Sequence, residues 1–504
     1  MVNSSANVAI EVGEPSGLRR LLGVLAPVRR GEFVTVAMLT VNVFVLLTCD
    51  YVLKVVREPL ILLGGGAELK AYASAGQTLL LLAVVPAFGW LSSRVDRLRL
   101  LTTIQLIFIV CLLVFYALAE ARAPIGLLFY LWLGIFNILV VSNFWSFAND
   151  LYTEEQGKRL FAIIGVGASI GAIIGAFVPQ LLHRALGISA LMLVAAGGLG
   201  LSIALYRLID RRERAHAVHR RAAGRPSTAG GEPEPVTSPR GGFALVIQDR
   251  YLRLLAIMLL VATIINTTGE YVVGKIATER SKAYAAEVVA GPASPVQAAG
   301  AANSHPADSA QGRYIETFYS DYYSVVNLLA FLLQVLVVVR LLTWLGIRRS
   351  LFVMPLIVLG GWLALGLFVN LTLIRIEKTA ENSLDYSLHN TLRQALFLPT
   401  CRDGKYKAKA AIDTFFFRMG DVIAGLGIVF LFTTVLGLGV RAFAVLNAVL
   451  ALCWLALTVR AGRLHDRLVA AEHAPAPAPA PVPVPVEDVT SCTSRGTAPP
   501  DSHR

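Results

Sequence analysis

Residues 33–60 read "FVTVAMLTVNVFVLLTCDYVLKVVREPL", an apolar run that ends in a cluster of charged residues. The run is long enough to enter a bilayer, which takes about 20 mainly apolar residues to cross. A charged residue in the hydrocarbon costs roughly 2.5–3.5 kcal/mol on insertion scales. Four nevertheless follow within nine residues: Asp50, Lys54, Arg57 and Glu58. The stretch therefore predicts a membrane helix with one face turned away from lipid.

The four charged residues fall at i, i+4, i+7 and i+8, which places them on one face of a helix. Asp50 and Lys54 are spaced to form an ion pair, and so are Lys54 and Glu58. Such a face has to meet other helices or a water-filled cavity. The alternative is that Arg57 and Glu58 lie at the outer membrane surface and that Pro59 ends the helix.

The composition of the whole chain is that of a polytopic membrane protein. Of its 504 residues, 56% are hydrophobic and 15% are charged, against about 25% charged in an average soluble domain. The mean hydropathy is +0.64. The first apolar run is too long for a signal peptide, and no small-residue cleavage site follows it, so we expect it to stay in the protein.

Apolar runs of about 20 residues predict an all-α fold with twelve transmembrane helices arranged as two six-helix halves. The tenth is the weakest by hydropathy. The predicted spans are 33–57, 71–91, 101–119, 125–147, 161–182, 186–206, 252–274, 321–345, 351–371, 374–398, 410–436 and 439–459.

The loop charges predict the orientation of the protein in the cell (inner) membrane. Arg and Lys concentrate in every second loop, including "RLIDRRERAHAVHRRAAGR", whereas the other loops hold scattered cations such as Lys70 and Arg122. Cationic loops stay in the cytoplasm, so both termini are expected there. Most of the net charge of +12 then faces the lipid of the cytoplasmic leaflet. We therefore expect no nucleic acid partner.

Composition shifts along the chain predict its organisation, and a short repeat supports two halves. "TCDYVLK" (48–54) and "TGEYVVG" (268–274) end the first and seventh spans and place Asp50 opposite Glu270. The predicted segments are a cytoplasmic N-terminus (1–32), an N-terminal half (33–208), a cytoplasmic linker (209–242), a C-terminal half (243–465) with an outer insertion (281–312), and a disordered Pro-rich tail (466–504).

Motifs for enzymatic chemistry are missing from the sequence. The five cysteines form no CxxC pair, and no HExxH, Walker loop, GxSxG or triad pattern occurs. We therefore expect no enzyme, no cofactor, no zinc site and no disulfide framework. Helix five instead carries Gly167, Gly171 and Gly175 at four-residue steps, which predicts close packing against another helix.

The tenth span is nearly as polar as a soluble helix. Its stripe at i+3 and i+4 steps consists of Lys378, Asn382, Asp385, His389 and Arg393, and the next stretch adds Lys409, Asp413, Arg418 and Asp421. Polar groups at this depth line a cavity or pair with one another. Both alternatives, a solute cavity and an interhelical salt-bridge network, stay open at the level of sequence.

Three stretches carry a resemblance to a known family. They are "YVLKVVREPL" (51–60), "NFWSFANDLYTEEQGKRLFAIIGVGASIGAIIG" (143–175) and "DYSLHNTLRQALFLPTCRDGKYKAKAAID" (385–413). They resemble the ADP,ATP carriers, the twelve-helix nucleotide antiporters of plastids and energy-parasitic bacteria. "GWLSSRVDRLRL" (89–100) is similar, in looser form, to the loop between helices two and three of the major facilitator superfamily.

The resemblance implies a monomeric carrier of a small anionic solute such as ATP or ADP, in contact with membrane lipid. It places Arg57, Glu270 and Lys409 on charged family positions, while Leu133 and Asp421 stand where the family has a Glu and a Lys. Together with the polar faces it gives a predicted substrate-binding set of Lys54, Arg57, Glu270, Lys378, Asp385, Arg393 and Lys409, and a coupling set of Asp50, Glu270 and His389.

Three classes of function follow from these patterns. They are nucleotide exchange, proton-coupled transport of another metabolite, and a membrane scaffold or sensor of the same fold that transports nothing. We expect Asp50 and Glu270 to be neutralised by cations, Lys54 or Arg57 for the first and Lys275 for the second. Uptake of a proton by one carboxylate during the cycle is the alternative.

Overall fold

A computed structural model describes residues 32–92, 94–95, 97–152, 154–222, 242–290, 309–400 and 407–472. Throughout these ranges the secondary structure is helical, with no strand. The apolar runs of the sequence become helices because a helix satisfies every backbone polar group within its own segment, which hydrocarbon requires.

The first part of the chain forms four long helices. They are α1 (Phe33–Ser92), α2 (Arg97–Glu120), α3 (Gly126–Leu151) and α4 (Glu154–Ala222).

The second part forms seven further helices. They are α5 (Gly242–Gln248), α6 (Arg250–Ala290), α7 (Ala310–Ser350), α8 (Val353–Leu367), α9 (371–396), α10 (409–435) and α11 (Val440–Glu472). Helix α9 contains the π-helical turn Asp385–His389, and α10 contains three π-helical stretches.

Helix α1 holds two membrane spans because it breaks at Gly65–Gly66. Gly66 has φ +71°, a left-handed conformation that glycine adopts without a steric cost. Asp50 and Gln77 both contact α3 between Gly134 and Asn137, whereas Leu60 contacts its first residue. The chain therefore runs along α3 in one direction before the break and returns in the other. Helix α4 breaks in the same way at Gly187, where φ is +77°.

The predicted fold class is confirmed. Each predicted span falls on a helix, although several of these helices extend well beyond it. Nine helices in the described ranges are long and apolar enough to cross a membrane, one of them being the double span of α1. Helix α8 is shorter. Helix α9 is not one of these nine, because its composition is too polar. This agrees with the sequence analysis, in which the tenth span was the weakest by hydropathy.

The three glycines of the fifth predicted span lie in α4 and pack directly on α1, which agrees with the predicted close packing against another helix. A Cβ added at Gly167 would lie 2.7 Å from the backbone oxygen of Thr40, and one added at Gly175 would lie 2.5 Å from that of Thr48. The Thr48 hydroxyl also contacts the carbonyl oxygen of Gly171 at 3.3 Å. Only a residue without a side chain allows this approach, so these glycines bring α4 against the charged span of α1.

We expect Gly175→Val to destabilise the folded protein by about 1–3 kcal/mol, the usual cost of forcing extra methyl groups into a packed interface. Gly165→Val is the matched control, because it lies on the same helix and a Cβ there meets nothing within 4 Å. The measurement is the temperature of half-maximal aggregation in detergent. Equal shifts in the two variants would show that the close approach does not stabilise the fold.

Buried apolar side chains form two clusters. The first consists of residues from α1 to α4. The second is built mainly from α5 to α11, and Tyr51, Tyr130 and Ala172 from the first four helices also belong to it. Side chains of the charged span of α1 therefore lie where the two groups of helices meet.

The structure moves several predicted boundaries. The first span does not end at Pro59, since its helix continues to the break at Gly65. Helix α6 continues to Ala290 and α11 to Glu472, so parts of the predicted insertion and tail are helical. The linker is helical as far as Ala222. The other predicted loop and tail residues, 1–31, 223–241, 291–308 and 473–504, lie outside the described residues.

Candidate solute-binding cavity

A cavity of about 300 Å³ lies between the two groups of helices. Its walls come from α3, α6, α7, α9 and α10 and from both arms of α1, which are the parts before and after the break at Gly65–Gly66. The lining residues are Tyr51, Lys54, Arg57, Lys70, Ala71, Ser74, Tyr130, Thr263, Asn266, Thr267, Glu270, Tyr271, Tyr323, Asn382, Tyr386, Phe417, Arg418 and Asp421.

The charged groups of the lining are mostly cations. Four of them are basic (Lys54, Arg57, Lys70 and Arg418) and two are acidic (Glu270 and Asp421). The carboxylates of Asp50 and Glu58, which balance two of the cations, are buried behind the wall with 2% and 0% of their side chains exposed. The surface that a solute meets is therefore more basic than the cluster as a whole.

Glu58 is the centre of a buried network and is not exposed at the protein surface. Its carboxylate accepts two hydrogen bonds from the Arg57 guanidinium, one of them from Nε at 3.1 Å. Lys70 Nζ lies 2.7 Å from its other oxygen. The Tyr323 hydroxyl donates to it at 3.2 Å. A carboxylate buried this completely is stable only when paired in this way, so Glu58 positions two cavity cations.

Lys70 lines the cavity, whereas the sequence analysis had placed it in an outer loop. It lies one turn into the second arm of α1 and is 5% exposed. Its ammonium group lies 2.7 Å from Glu58 and 3.6 Å from Glu270. The signal that could have found it is the run Gly64–Gly66, because a break there starts the second helix before Lys70.

Glu270 lines the cavity, but the ion pair with Lys275 that was expected for it does not form. It accepts hydrogen bonds from Tyr322 Oη at 3.2 Å and Asn382 Nδ2 at 3.1 Å. Lys275 instead pairs with Glu68 at 2.6 Å. The reason is helix geometry, since residues five apart do not share a helix face.

Asp50 has the cation that was expected. Its carboxylate lies 2.8 Å from Lys54 Nζ and accepts hydrogen bonds from Asn137 Nδ2 at 2.9 and 3.0 Å. The ion pair with Lys54 that the four-residue spacing predicted is present. Asp50 nevertheless points at α3, not at the seventh span, and does not line the cavity. It fixes the direction of Lys54, whose ammonium group also lies 4.2 Å from the centre of the Tyr51 ring.

The polar stripe of α9 is divided between the cavity and helix packing. Asn382 lines the cavity. Lys378 is fully buried and pairs with Glu381 at 3.1 Å, and His389 packs edge-on against Trp454. Arg393 lies 3.9 Å from Asp413.

The other predicted binding residues also lie away from this wall. Lys409 donates to Gln394, and Asp385 opens the π-helical turn that turns Tyr386 to the cavity. One part of the polar stripe thus lines a cavity, and another part forms ion pairs and packing contacts between helices. Of the predicted substrate-binding set, the cavity brings together Lys54, Arg57 and Glu270.

Comparison with known proteins decides the family. The model of the major facilitator superfamily matches residues 35–383, which is more than half of the chain. The chain belongs to the major facilitator superfamily. It is therefore a secondary membrane transporter and not an enzyme. A search of curated proteins found no matching sequence.

Solved structures of this superfamily share the fold at low sequence identity. A POT family transporter in complex with 5-aminolevulinic acid has a TM-score of 0.58 and 15% identity, covering 85% of this chain and 96% of its own. The nucleoside transporter NupG gives 0.53 and 11%, covering 84% and 98%. A bacterial homolog of the human lysosomal transporter Spinster gives 0.54 and 13%, covering 88% and 99%.

In many secondary transporters the solute site lies where the two halves of the protein meet, and this cavity lies between the two groups of helices. Asp421, which stands where the ADP,ATP carriers have a Lys, accepts a hydrogen bond from Thr267 at 2.6 Å and lies 3.9 Å from Arg418. Leu133, at the position that the sequence resemblance aligns with a Glu of those carriers, is 1% exposed in the first apolar cluster. The cavity therefore has its own arrangement of charges.

Proposed function

We propose that this transporter carries an anionic solute by alternating access. The observation that supports the proposal is the basic wall, in which Lys54, Arg57, Lys70 and Arg418 face the cavity while Asp50 and Glu58 stay behind it. Guanidinium and ammonium groups in a site with little water bind carboxylate or phosphate strongly. Lys54, Arg57 and Glu270 are the predicted binding residues that we retain, and Lys70 joins them.

Within this class we propose a nucleotide such as ATP or ADP as the first candidate. The three family-like sequence stretches support it, and so do the aromatic side chains in the wall. Tyr51, Tyr130, Tyr271, Tyr323, Tyr386 and Phe417 offer ring faces to a planar base. The predicted residues Lys378, Asp385, Arg393 and Lys409 lie outside the wall and can contact a solute only in another conformation.

The ion pairs around the cavity also suggest how one end is closed. Near the break of α1, Glu68 pairs with Lys275 and accepts a hydrogen bond from Tyr271 at 3.0 Å. Lys70 approaches Glu270 from the other side of the cavity. These contacts join the two groups of helices at the end where the first and second spans meet. Opening that end requires them to break, and an incoming anion that binds Lys70 would compete with Glu270.

Counterflow in proteoliposomes tests the proposal. Vesicles loaded with unlabelled ADP are diluted into labelled ADP, with ATP, inorganic phosphate, glucose 6-phosphate or uncharged adenosine as competitors. Exchange without a pH gradient supports nucleotide antiport. Uptake that needs a gradient supports a proton-coupled carrier through Asp50, Glu270 or His389. Competition by adenosine equal to that by ATP would contradict an anion site, and flux with none of the compounds would favour a scaffold or sensor.

We also propose the orientation that the loop charges predict, with both termini on the cytoplasmic side of the inner membrane and a monomeric carrier. Single cysteines introduced within 281–312 should react with an impermeant maleimide from outside the cell. Those within 210–242 should react only after permeabilisation. Labelling of both segments from the same side would contradict the topology.

A further inference from the structure

We propose that the solute site has a second compartment, which binds the uncharged, hydrogen-bonding part of an elongated anionic solute. This inference rests on the proposed function. The compartment is a cavity of about 390 Å³ between α1, α4, α7 and α9. Its lining residues are Leu47, Tyr51, Ala168, Ser169, Ala172, Asn327, Ala330, Phe331, Gln334, Tyr386, Asn390 and Thr391.

Among the described residues, the lining of this second compartment contains no charged or titrating side chain apart from the two tyrosines. Its polar groups are three amides and two hydroxyls, from Asn327, Gln334, Asn390, Ser169 and Thr391. Amides and hydroxyls both donate and accept hydrogen bonds, which matches the hydroxyls of a sugar or the amides of a heterocycle. A phosphate or carboxylate would find no cation in this lining. The two compartments therefore differ sharply in the chemistry that they can bind.

Two tyrosines lie between the compartments. Tyr51 and Tyr386 line both cavities. Tyr51 is 8% exposed, contacts Tyr323 edge-on with the ring centres 6.3 Å apart, and carries the Lys54 ammonium on its ring. Tyr386 is 48% exposed. A solute whose charged end pairs with Lys54 would have to pass these two rings to reach the neutral compartment.

The sizes of the cavities favour an elongated solute. The basic cavity, at about 300 Å³, is at the lower limit of pockets that bind small molecules, roughly 300–1,000 Å³. It holds a phosphate group together with part of the body that carries it. A phosphate ester with a hydroxyl-bearing or amide-bearing body, such as a sugar phosphate or a nucleotide, would extend into the second compartment.

Thermal stabilisation of the detergent-solubilised transporter tests this without a labelled substrate, because a ligand stabilises the folded state according to its affinity. The probes are inorganic phosphate, ribose 5-phosphate and AMP at equal ionic strength. We expect the wild-type protein to bind the two esters at least tenfold more tightly than inorganic phosphate. Equal affinities for all three would show that the second cavity is only a water-filled path.

The variant Asn390→Leu/Thr391→Val removes two hydrogen-bonding groups of the second compartment at nearly constant volume. We expect about a tenfold loss of affinity for the esters and less than a twofold change for inorganic phosphate. Equal losses for all probes would overturn the inference. Absence of binding by every probe to the wild-type protein would instead overturn the proposed function.

Chemical protection gives a second readout that does not depend on the stability of that variant. In a chain whose five native cysteines are replaced by serine or alanine, Asn390→Cys places a thiol in the neutral compartment. We expect AMP to slow its reaction with a small maleimide several-fold and inorganic phosphate to leave the rate unchanged. No protection by AMP, at a concentration that stabilises the protein, would contradict an occupied second compartment.

Discussion

Replacing Lys378 by methionine is expected to remove most of the folded protein from the membrane. Lys378 is completely buried, and its ammonium group lies 3.1 Å from Glu381 and 2.7 Å from the side-chain oxygen of Asn266. Glu381 and its neighbour Glu377 are buried as well, with 2% and 4% exposed. Without the lysine, two carboxylates one turn apart are left inside the protein with no cation between them.

Breaking a buried ion pair by removing one partner costs about 3–5 kcal/mol, because the remaining charge has no compensation. Arg375→Met is the matched control. Arg375 lies on the same helix, but its pair with Asp321 is more than a third exposed on both sides, at 3.6 Å. Exposed pairs contribute about 0–1 kcal/mol. We therefore expect the thermal stability and the yield of Arg375→Met to be close to those of the wild-type protein.

A double variant tests whether the loss of stability comes from the carboxylate left unpaired or from the altered packing at position 378. Replacing a whole buried ion pair by apolar residues is often neutral or stabilising, so Lys378→Met/Glu381→Met is expected to recover much of the stability that Lys378→Met loses. Aggregation temperature in detergent measures both variants. A double variant less stable than the single one would show that Glu381 contributes through contacts other than its pair with Lys378.

Contacts within a helix could be predicted from the sequence. The pair of Asp50 and Lys54 follows from a four-residue spacing. Glycines at the same spacing predict that one face of α4 packs closely, although they do not identify α1 as its partner. The spans follow from hydropathy because the bilayer imposes both length and composition. Each of these predictions depends on a property that repeats along one helix.

Contacts between helices could not be predicted in this way. The partner of Glu58 is Lys70, which lies on the next arm of α1, and the partner of Lys275 is Glu68 on that same arm. A single sequence does not say which helices become neighbours. The polar stripe of α9 shows the same limit. Its pattern excludes lipid as a neighbour, yet Lys378 is covered by packing whereas Asn382 meets the cavity.

Replacing Arg57 by alanine is expected to weaken solute transport strongly while the protein stays folded. Arg57 lies in the cavity wall, where Glu58 fixes its guanidinium and the Tyr130 ring packs against it at 4.5 Å. Glu58 keeps Lys70 at 2.7 Å and the Tyr323 hydroxyl at 3.2 Å when Arg57 is removed. The buried carboxylate is therefore still paired, which distinguishes this substitution from the loss of Lys378.

The expected size of the effect follows from the contacts that an anion would lose. A hydrogen bond to a charged group contributes about 1.5–3 kcal/mol, which corresponds to about a 10- to 150-fold higher half-saturating concentration. The measurement is counterflow of labelled ADP, or of the anion that the competitors identify, at matched amounts of reconstituted protein. Arg348→Ala removes the same charge from a half-exposed pair with Asp466 and should transport like the wild-type protein.

Arg57→Lys decides whether charge alone is enough. A lysine keeps the positive charge but cannot make the two-pronged contact of a guanidinium with a carboxylate or phosphate. Because Glu58 accepts two bonds from Arg57, the lysine variant should point its ammonium less precisely, and we expect transport intermediate between Arg57→Ala and the wild-type protein. Full activity in Arg57→Lys would show that Arg57 supplies charge alone. If Arg57→Ala is instead lost from the membrane and the residual molecules transport normally, Arg57 stabilises the fold and does not bind the solute.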